Sequence, residues 1–200
     1  MTEKYEIRLG DALKEAWGIF MKGPEVFVGL TFLYFAVVFV LGKIPLAGAL
    51  ISFLAFSLLL PSYYAAADAS VGKERVTFES LQGLVPLVPQ ILALSIVKSI
   101  LLAIGFTLLF FPGVYLMVIF YFAELILILE KKQFVDALKE SKKLADQNLL
   151  GVLGLVVFCF FLTISGLLLV GIGILVTLPL SFLVVYCVYR RNIAGRVVVE

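Results

Sequence analysis

The chain contains no histidine among its 200 residues, and charged residues make up only 15% of it. The absence of histidine removes the commonest general base and the commonest metal ligand. Its two cysteines, Cys159 and Cys187, fall inside apolar stretches and do not form a zinc site without histidine. Neither a phosphate-binding glycine-rich loop nor a catalytic triad is evident. We therefore predict a protein that is not an enzyme and needs no metal or cofactor.

The chain is rich, by contrast, in long apolar stretches. Apolar residues make up 62% of the sequence, against roughly 45–50% in soluble domains. A bilayer core about 30 Å thick needs roughly 20 apolar helical residues to cross it. The sequence therefore predicts an all-α, polytopic membrane protein with a single transmembrane domain over residues 1–200. The six predicted spans are 26–41, 44–67, 90–111, 114–129, 149–170 and 172–189.

Basic residues are concentrated on one side of the predicted spans. Four precede the first span, two follow the second, five follow the fourth and three follow the sixth, whereas the opposite turns carry only Lys43. Because positive residues stay on the cytoplasmic side, we expect a multi-pass protein of the cell membrane with both termini in the cytoplasm. The first apolar stretch begins only after a mixed-charge segment, and no cleavage site of small residues follows it, so no secretory signal peptide is predicted.

A short sequence, Asp-Ala-Leu-Lys-Glu, occurs at 11–15 and again at 136–140, and a weaker copy begins at Phe78. Each copy opens with a short predicted helix and continues into two spans. We predict internal repeats over 9–75, 76–132 and 133–196, folded as three parallel helical hairpins with turns at 42–45, 112–113 and 171–173. Sequence similarity between successive segments of this length is typical of a fold built from repeats. The predicted repeats are parallel, in contrast to the inverted repeats of many carriers. Chance resemblance between apolar segments is the alternative.

The opening helices of the first and third copies are amphipathic. Apolar residues recur at spacings of three and four, which places them on one helix face. We predict that segments 9–22 and 133–147 lie in the cytoplasmic headgroup plane, where lysines meet anionic lipid and Trp17 fits the aromatic belt. Alternatively, these helices brace the bundle. The apolar faces comprise Leu9, Leu13, Ala16, Trp17 and Phe20, and Phe134, Ala137, Leu138, Ser141, Leu144 and Ala145. The lysines are Lys14, Lys22, Lys139, Lys142 and Lys143.

Two charged residues fall inside predicted spans, Lys98 in the third and Glu124 in the fourth. Counted from the predicted turn at Pro112 and Gly113, their depths differ by only about 4–5 Å. A lone charge near the helix centre costs roughly 2.5–3.5 kcal/mol, so we expect the two side chains to pair and fix the hairpin register. The alternatives are a role in proton or solute handling, and a Lys98 side chain that extends to the interface.

A run of residues from 112 to 144 carries a family resemblance. The run includes Pro112-Gly113-Val114-Tyr115-Leu116, Phe122-Ala123, Leu129-Glu130 and, on the next helix, Ser141 and Leu144. It resembles the membrane domain attached to some bacterial glycerophosphodiester phosphodiesterases, and related uncharacterised six-span proteins. The chain departs from that pattern at Ile119 and Glu124. Since the phosphodiesterase activity of those proteins belongs to a separate soluble barrel, the resemblance implies a stand-alone membrane domain without catalysis.

These observations predict a non-enzymatic integral membrane protein that acts as a scaffold or accessory, or as a lipid-interacting module. The expected partners are membrane lipids, with a membrane or cytoplasmic protein as a further partner. A small-solute or ion transporter or channel that uses Lys98 and Glu124 is the alternative. An intramembrane lipid enzyme built on Ser95 or Ser99 is less well supported, because a serine next to Lys98 in sequence points to another helix face. Small residues in the spans leave a homo-oligomer open, and no nucleic acid is expected.

Overall fold

The secondary structure is entirely helical in the ranges that the computed structural model describes, which are residues 7–44, 47–71, 75–168 and 173–191. The prediction of an all-α fold is therefore confirmed. In chain order the helices are α1 (Leu9–Met21), α2 (Pro24–Leu41), α3 (Ala47–Ala69), a 3₁₀ helix (Phe78–Leu87), α4 (Val88–Leu108), α5 (Phe110–Ile119), α6 (Ala123–Leu129), α7 (Phe134–Gln147), α8 (Leu149–Leu167) and α9 (Ile174–Tyr189).

Five helical stretches of the described chain are long and apolar enough to cross a membrane. They are α2, α3, the 3₁₀ helix with α4, α5 with α6, and α8. This confirms a multi-pass membrane protein. The last apolar helix, α9, has 16 residues and rises about 24 Å, which is short of a hydrocarbon core of about 30 Å. Six spans therefore stay a prediction, and residues 169–172, which include most of the predicted last turn, lie outside the described residues.

The second helix pair turns at a different place from the predicted one. The chain reverses at Leu109, an extended residue between α4 and α5, so the prediction of a turn at Pro112 and Gly113 is wrong. Pro112 lies in the first turn of α5. The backbone N–H groups in the first turn of a helix have no partner within the helix, so a proline, which lacks this N–H, is tolerated there. Gly113 lies directly against α4, because a Cβ at this position would collide with the ring of Phe106.

The predicted fourth span is interrupted. Residues 120–122 form a turn that separates α5 from α6, so 114–129 is not one continuous helix. Neither glycine nor proline occurs at the interruption, which consists of Phe120, Tyr121 and Phe122. Glu124 lies just after the break, in the first turn of α6.

The two amphipathic helices pack on the bundle by their apolar faces. On α1 the buried residues are Ala12, Ala16, Ile19 and Phe20, whereas Trp17 is 48% exposed beside them. This helix packs mainly on α9. The helix α7 contacts α4, α5 and α6. Its buried residues are Ala137, Ser141, Leu144 and Ala145. A short helix thus precedes α2 and α3 in the first predicted copy and α8 and α9 in the third, while the three repeats and their equivalence stay a prediction.

The core is concentrated where α3, α6 and α9 finish. We call this region the packed end and define it by residues 63–70, 123–130 and 183–189, with α1 and α7 around it. Residues Leu183–Tyr189 are at most 1% exposed. The turn segments, by contrast, are defined as residues 39–44, 108–111 and 167–168, and their large apolar side chains are exposed by 37–82%. The bundle therefore has one well-packed region and a second that offers apolar side chains to its surroundings.

Candidate functional site

The structure brings together the two charged residues of the spans. The Nζ atom of Lys98 on α4 donates to Oε1 of Glu124 on α6 over 2.7 Å. The two side chains are only 17% and 11% exposed, and apolar helices surround them. Because each charge compensates the other, neither is left as a lone charge in an apolar environment. The contact fixes the register of α4 against α6.

A cleft of about 150 Å³ lies beside this pair. Its walls come from α3 and α4, and Lys98 and Glu124 both contribute to the lining. Three serines line the same space, Ser57 on α3 and Ser95 and Ser99 on α4. The remaining lining is apolar. We call this space the α3–α4 cleft, and it combines an ion pair with several residues that can form hydrogen bonds.

Two tyrosines of α9 join the packed end to the neighbouring helices. The hydroxyl of Tyr186 donates to Oδ1 of Asp68 on α3 over 3.1 Å, and Nη1 of Arg190 donates to the same hydroxyl over 2.9 Å. The hydroxyl of Tyr189 donates to Oε1 of Glu130 at the end of α6. Both tyrosines are fully buried. Since hydrogen bonds to charged groups are about twice as strong as neutral ones, α9 holds α3 and α6 together at this end.

A lysine between two carboxylates fixes the link from α6 to α7. The Nζ atom of Lys132 lies 2.6 Å from Oε2 of Glu130 and also contacts Glu140 on α7. Partial burial lowers the pKa of Lys132. The hydrogen bonds that Lys132 donates to the two carboxylates, together with their negative charges, outweigh this effect and raise the pKa above its usual value. The preceding residue, Lys131, has a φ of 52°, a left-handed conformation that is uncommon for a residue with a side chain.

Ser141 forms hydrogen bonds with backbone groups on both sides of the interruption between α5 and α6. Its hydroxyl donates to the carbonyl of Ile119 over 2.7 Å and accepts from the backbone N–H of Phe122 over 3.2 Å. A broken helix leaves such groups without helical partners, and unsatisfied backbone groups are costly in an apolar environment. A single side chain from α7 thus satisfies both sides of the break.

The residues of the family motif lie around the contacts of α5 with α4 and α7. Pro112 lies in the first turn of α5, Gly113 allows α4 to approach, and the hydroxyl of Tyr115 donates to Oδ1 of Asp146 on α7 over 3.2 Å. Glu130 and Ser141 make the contacts described above. Sequence reasoning missed the roles of Asp68, Lys132, Glu140 and Tyr189. The sequence did contain a signal for these roles, because acidic residues at the ends of apolar spans need hydrogen-bonding or positively charged partners.

The predicted interfacial lysines occupy different environments. Nζ of Lys22 is partly buried and donates to the backbone carbonyl of Ser70 over 3.1 Å, so this lysine joins α1 to α3. Lys14 is exposed beside the end of α9 and, with Arg191 and Asp11, lines an open polar depression. On α7, Lys139, Lys142 and Lys143 all point away from the bundle, and the Lys139 side chain is 75% exposed.

Within the described ranges, the structure holds no cluster of three or more histidine, cysteine or acidic side chains that could bind a metal ion. No curated protein and no solved structure matches the chain. A protein-family model matches residues 36–195, and this range includes the ion pair, the motif residues and α7. With most of its length matched, the chain belongs to the uncharacterised protein family UPF0259.

Proposed function

We propose that this protein is a non-enzymatic membrane scaffold or accessory whose helix α7 binds anionic lipid headgroups. The observation that carries the proposal is the two-sided character of α7. Ala137, Ser141 and Ala145 are buried against the bundle, while Lys139, Lys142 and Lys143 are exposed. A lysine near an anionic bilayer surface contributes about 1 kcal/mol, so three neighbouring lysines give a substantial attraction. Trp17 on α1 adds an exposed aromatic residue that suits the interface.

The use of the acidic residues supports a role without catalysis. Asp68, Glu124, Glu130, Glu140 and Asp146 each contact a tyrosine, lysine or both. A general acid or base must be free to exchange protons with a substrate. Carboxylates that hold helices together are poorly suited to that task, and the chain has no histidine to replace them.

The proposed lipid contact requires α7 to face the cytoplasm, where anionic lipids are enriched. The asymmetry of basic residues supports this orientation. The native cysteines are buried, so the variants Lys142→Cys and Lys43→Cys can be labelled in intact cells with a membrane-impermeant maleimide. We expect labelling at position 43 only, and labelling at 142 from outside would overturn the orientation.

The lipid contact is tested by identifying the lipids that remain with the purified protein. We expect anionic lipids to be enriched when the protein is extracted from native membranes, and the triple variant Lys139→Gln, Lys142→Gln, Lys143→Gln to lose this enrichment. The matched control replaces the same three residues by arginine, which keeps the positive charge and therefore the enrichment. Equal lipid profiles for wild type and the glutamine variant would refute the proposal.

Transport is a second candidate function, and the α3–α4 cleft is the observation that favours it. The cleft reaches Lys98 and Glu124, and charged residues within spans often mark ion or solute pathways. The test is flux into proteoliposomes for wild type and for the double variant Lys98→Gln, Glu124→Gln. Flux that is lost in the double variant would support transport, and background flux in both would exclude the solutes tested.

The motif resemblance also leads us to propose kinship with the membrane domain of bacterial glycerophosphodiester phosphodiesterases. The positions of Pro112 and Gly113 in α5 and the contacts of Tyr115, Glu130 and Ser141 support this proposal, because the same residues would hold the same helices together in both. A solved structure of such a domain that lacked the Ser141 contact at the helix break would argue against it. A protein partner at α1 or α7, and a homo-oligomer, remain compatible with the scaffold role.

A further inference from the structure

The α3–α4 cleft opens toward the outside of the bundle. Phe56 on α3 and Ser99 on α4 both line it, and both are exposed. Phe56 is 46% exposed. Because α3 and α4 belong to candidate membrane spans, the surroundings of this opening are acyl chains. A molecule that enters the cleft sideways therefore comes from the hydrocarbon phase.

The ion pair restricts the charge of any occupant. Lys98 and Glu124 already neutralise each other at 2.7 Å. An additional anion or cation would bring an uncompensated charge into an apolar environment, which is strongly unfavourable. The cleft is therefore suited to an occupant without net charge.

The hydroxyl groups restrict its chemistry further. Ser57, Ser95 and Ser99 line the same space, and a serine hydroxyl has one donor and two acceptor positions. An occupant with hydroxyl and ester oxygens can use these positions, whereas a plain hydrocarbon chain cannot. One water molecule needs roughly 10–15 Å³ of such space, so a cleft of about 150 Å³ has room for a small polar group.

We propose that the α3–α4 cleft binds the uncharged, hydroxyl-bearing head of a lipid of the diacylglycerol type. The glycerol head lies between α3 and α4 beside the ion pair, and its acyl chains lie along the exposed apolar surface of the bundle. This site is separate from the basic surface of α7, and the inference does not depend on the contact of α7 with anionic lipid.

The test uses the full chain in phosphatidylcholine nanodiscs that contain a photoactivatable diacylglycerol with its reactive group close to the glycerol. We expect mass spectrometry to locate the label on the segments of α3 and α4 that hold the three serines. Unlabelled diacylglycerol should compete for the site. A fatty acid carboxylate, which is charged, and a fatty acid methyl ester, which lacks a hydroxyl, should not compete.

The variant Ser99→Leu fills the opening with an apolar side chain at an exposed position, so the bundle should still fold. We expect labelling to fall by about tenfold, as for the loss of one to two hydrogen bonds. The control is Ser165→Leu on α8, another exposed serine, whose hydroxyl bonds only within its own helix. Labelling that survives in Ser99→Leu, or strong competition by the fatty acid, would overturn the proposal.

The same assay separates this inference from the surface contact. In the variant with glutamine at 139, 142 and 143, labelling of the cleft should be unchanged even though enrichment of anionic lipid is lost. If both signals fell together, the cleft would not be an independent site, and the inference would fail.

Discussion

The packed end and the turn segments have similar apolar compositions but opposite environments. At the packed end, side chains from 183 to 189 are at most 1% exposed, while Leu108, Leu109, Phe110 and Phe111 at the α4–α5 turn are 68–82% exposed. The packed end also contains hydrogen bonds from buried tyrosines to carboxylates. The comparison teaches that apolar composition is shared by both regions, whereas close packing together with polar contacts between helices marks the region where the helices are held together.

The largest effect is expected from a matched pair of phenylalanine substitutions. Phe122 is fully buried and its ring packs 5.8 Å from that of Tyr189, whereas Phe111 is 82% exposed. Phe122→Ala should lower the free energy of unfolding by about 3 kcal/mol because it leaves a cavity, and Phe111→Ala should change it by less than about 0.5 kcal/mol. Reversible unfolding in mixed detergent micelles measures both. Equal losses of unfolding free energy in the two variants would contradict the proposed difference between the two regions.

The ion pair should give the next largest effect. Glu124→Gln leaves Lys98 without its counter-charge, and we expect a loss of about 2 kcal/mol in the free energy of unfolding. Adding Lys98→Met to the same chain should restore much of this loss, because the lone charge is then removed. A double-mutant cycle in the same micelles gives the coupling energy. Unchanged stability in Glu124→Gln would show that the pair does not hold α4 against α6.

A smaller effect is expected at the helix break. Ser141→Ala removes two hydrogen bonds and leaves the carbonyl of Ile119 and the N–H of Phe122 unsatisfied, at a cost of about 1–2 kcal/mol. Ser165→Ala is the control, since that hydroxyl bonds only to a carbonyl of its own helix. Hydrogen exchange should become faster at the Phe122 amide in the first variant and stay unchanged in the second. A protected amide in Ser141→Ala would show that another group repairs the break.

The smallest effect concerns pH. The pKa of Lys132 is raised in the folded protein, so its contribution to stability is complete below the unfolded pKa and is lost as the pH rises through the folded pKa. Since this side chain is 35% exposed, Lys132→Gln should cost less than about 1 kcal/mol. The stability difference between wild type and variant should be constant up to a pH of about 10 and then shrink. A difference that grows at alkaline pH would contradict the assignment.

Sequence reasoning succeeded where one physical effect dominates. The apolar stretches predicted α2, α3 and α8 with boundaries within a few residues, because the length of a span follows from bilayer thickness. The amphipathic face of α7 followed from helical periodicity alone, and Ser141 was placed on it. The meeting of Lys98 and Glu124 was expected from their depths, even though the assumed turn was wrong.

The failures occurred where a local rule competed with tertiary contacts. Pro112 and Gly113 are typical of a turn, but here the proline lies in the first turn of a helix and the glycine allows close packing. The break at 120–122 consists of aromatic residues that give no turn signal, and it is sustained by a serine about twenty residues further along the chain. Such a partnership has no periodicity and is invisible without coordinates.

The bond between Ser141 and the interrupted helix has a bearing on biogenesis. During synthesis the polypeptide is made in order, so α5 and α6 emerge before the residue that satisfies their exposed backbone groups. Until α7 arrives, the amide and carbonyl at the break lack the partner that Ser141 supplies, which is costly in an apolar environment. The two groups therefore gain that partner only after translation has passed into the last third of the protein.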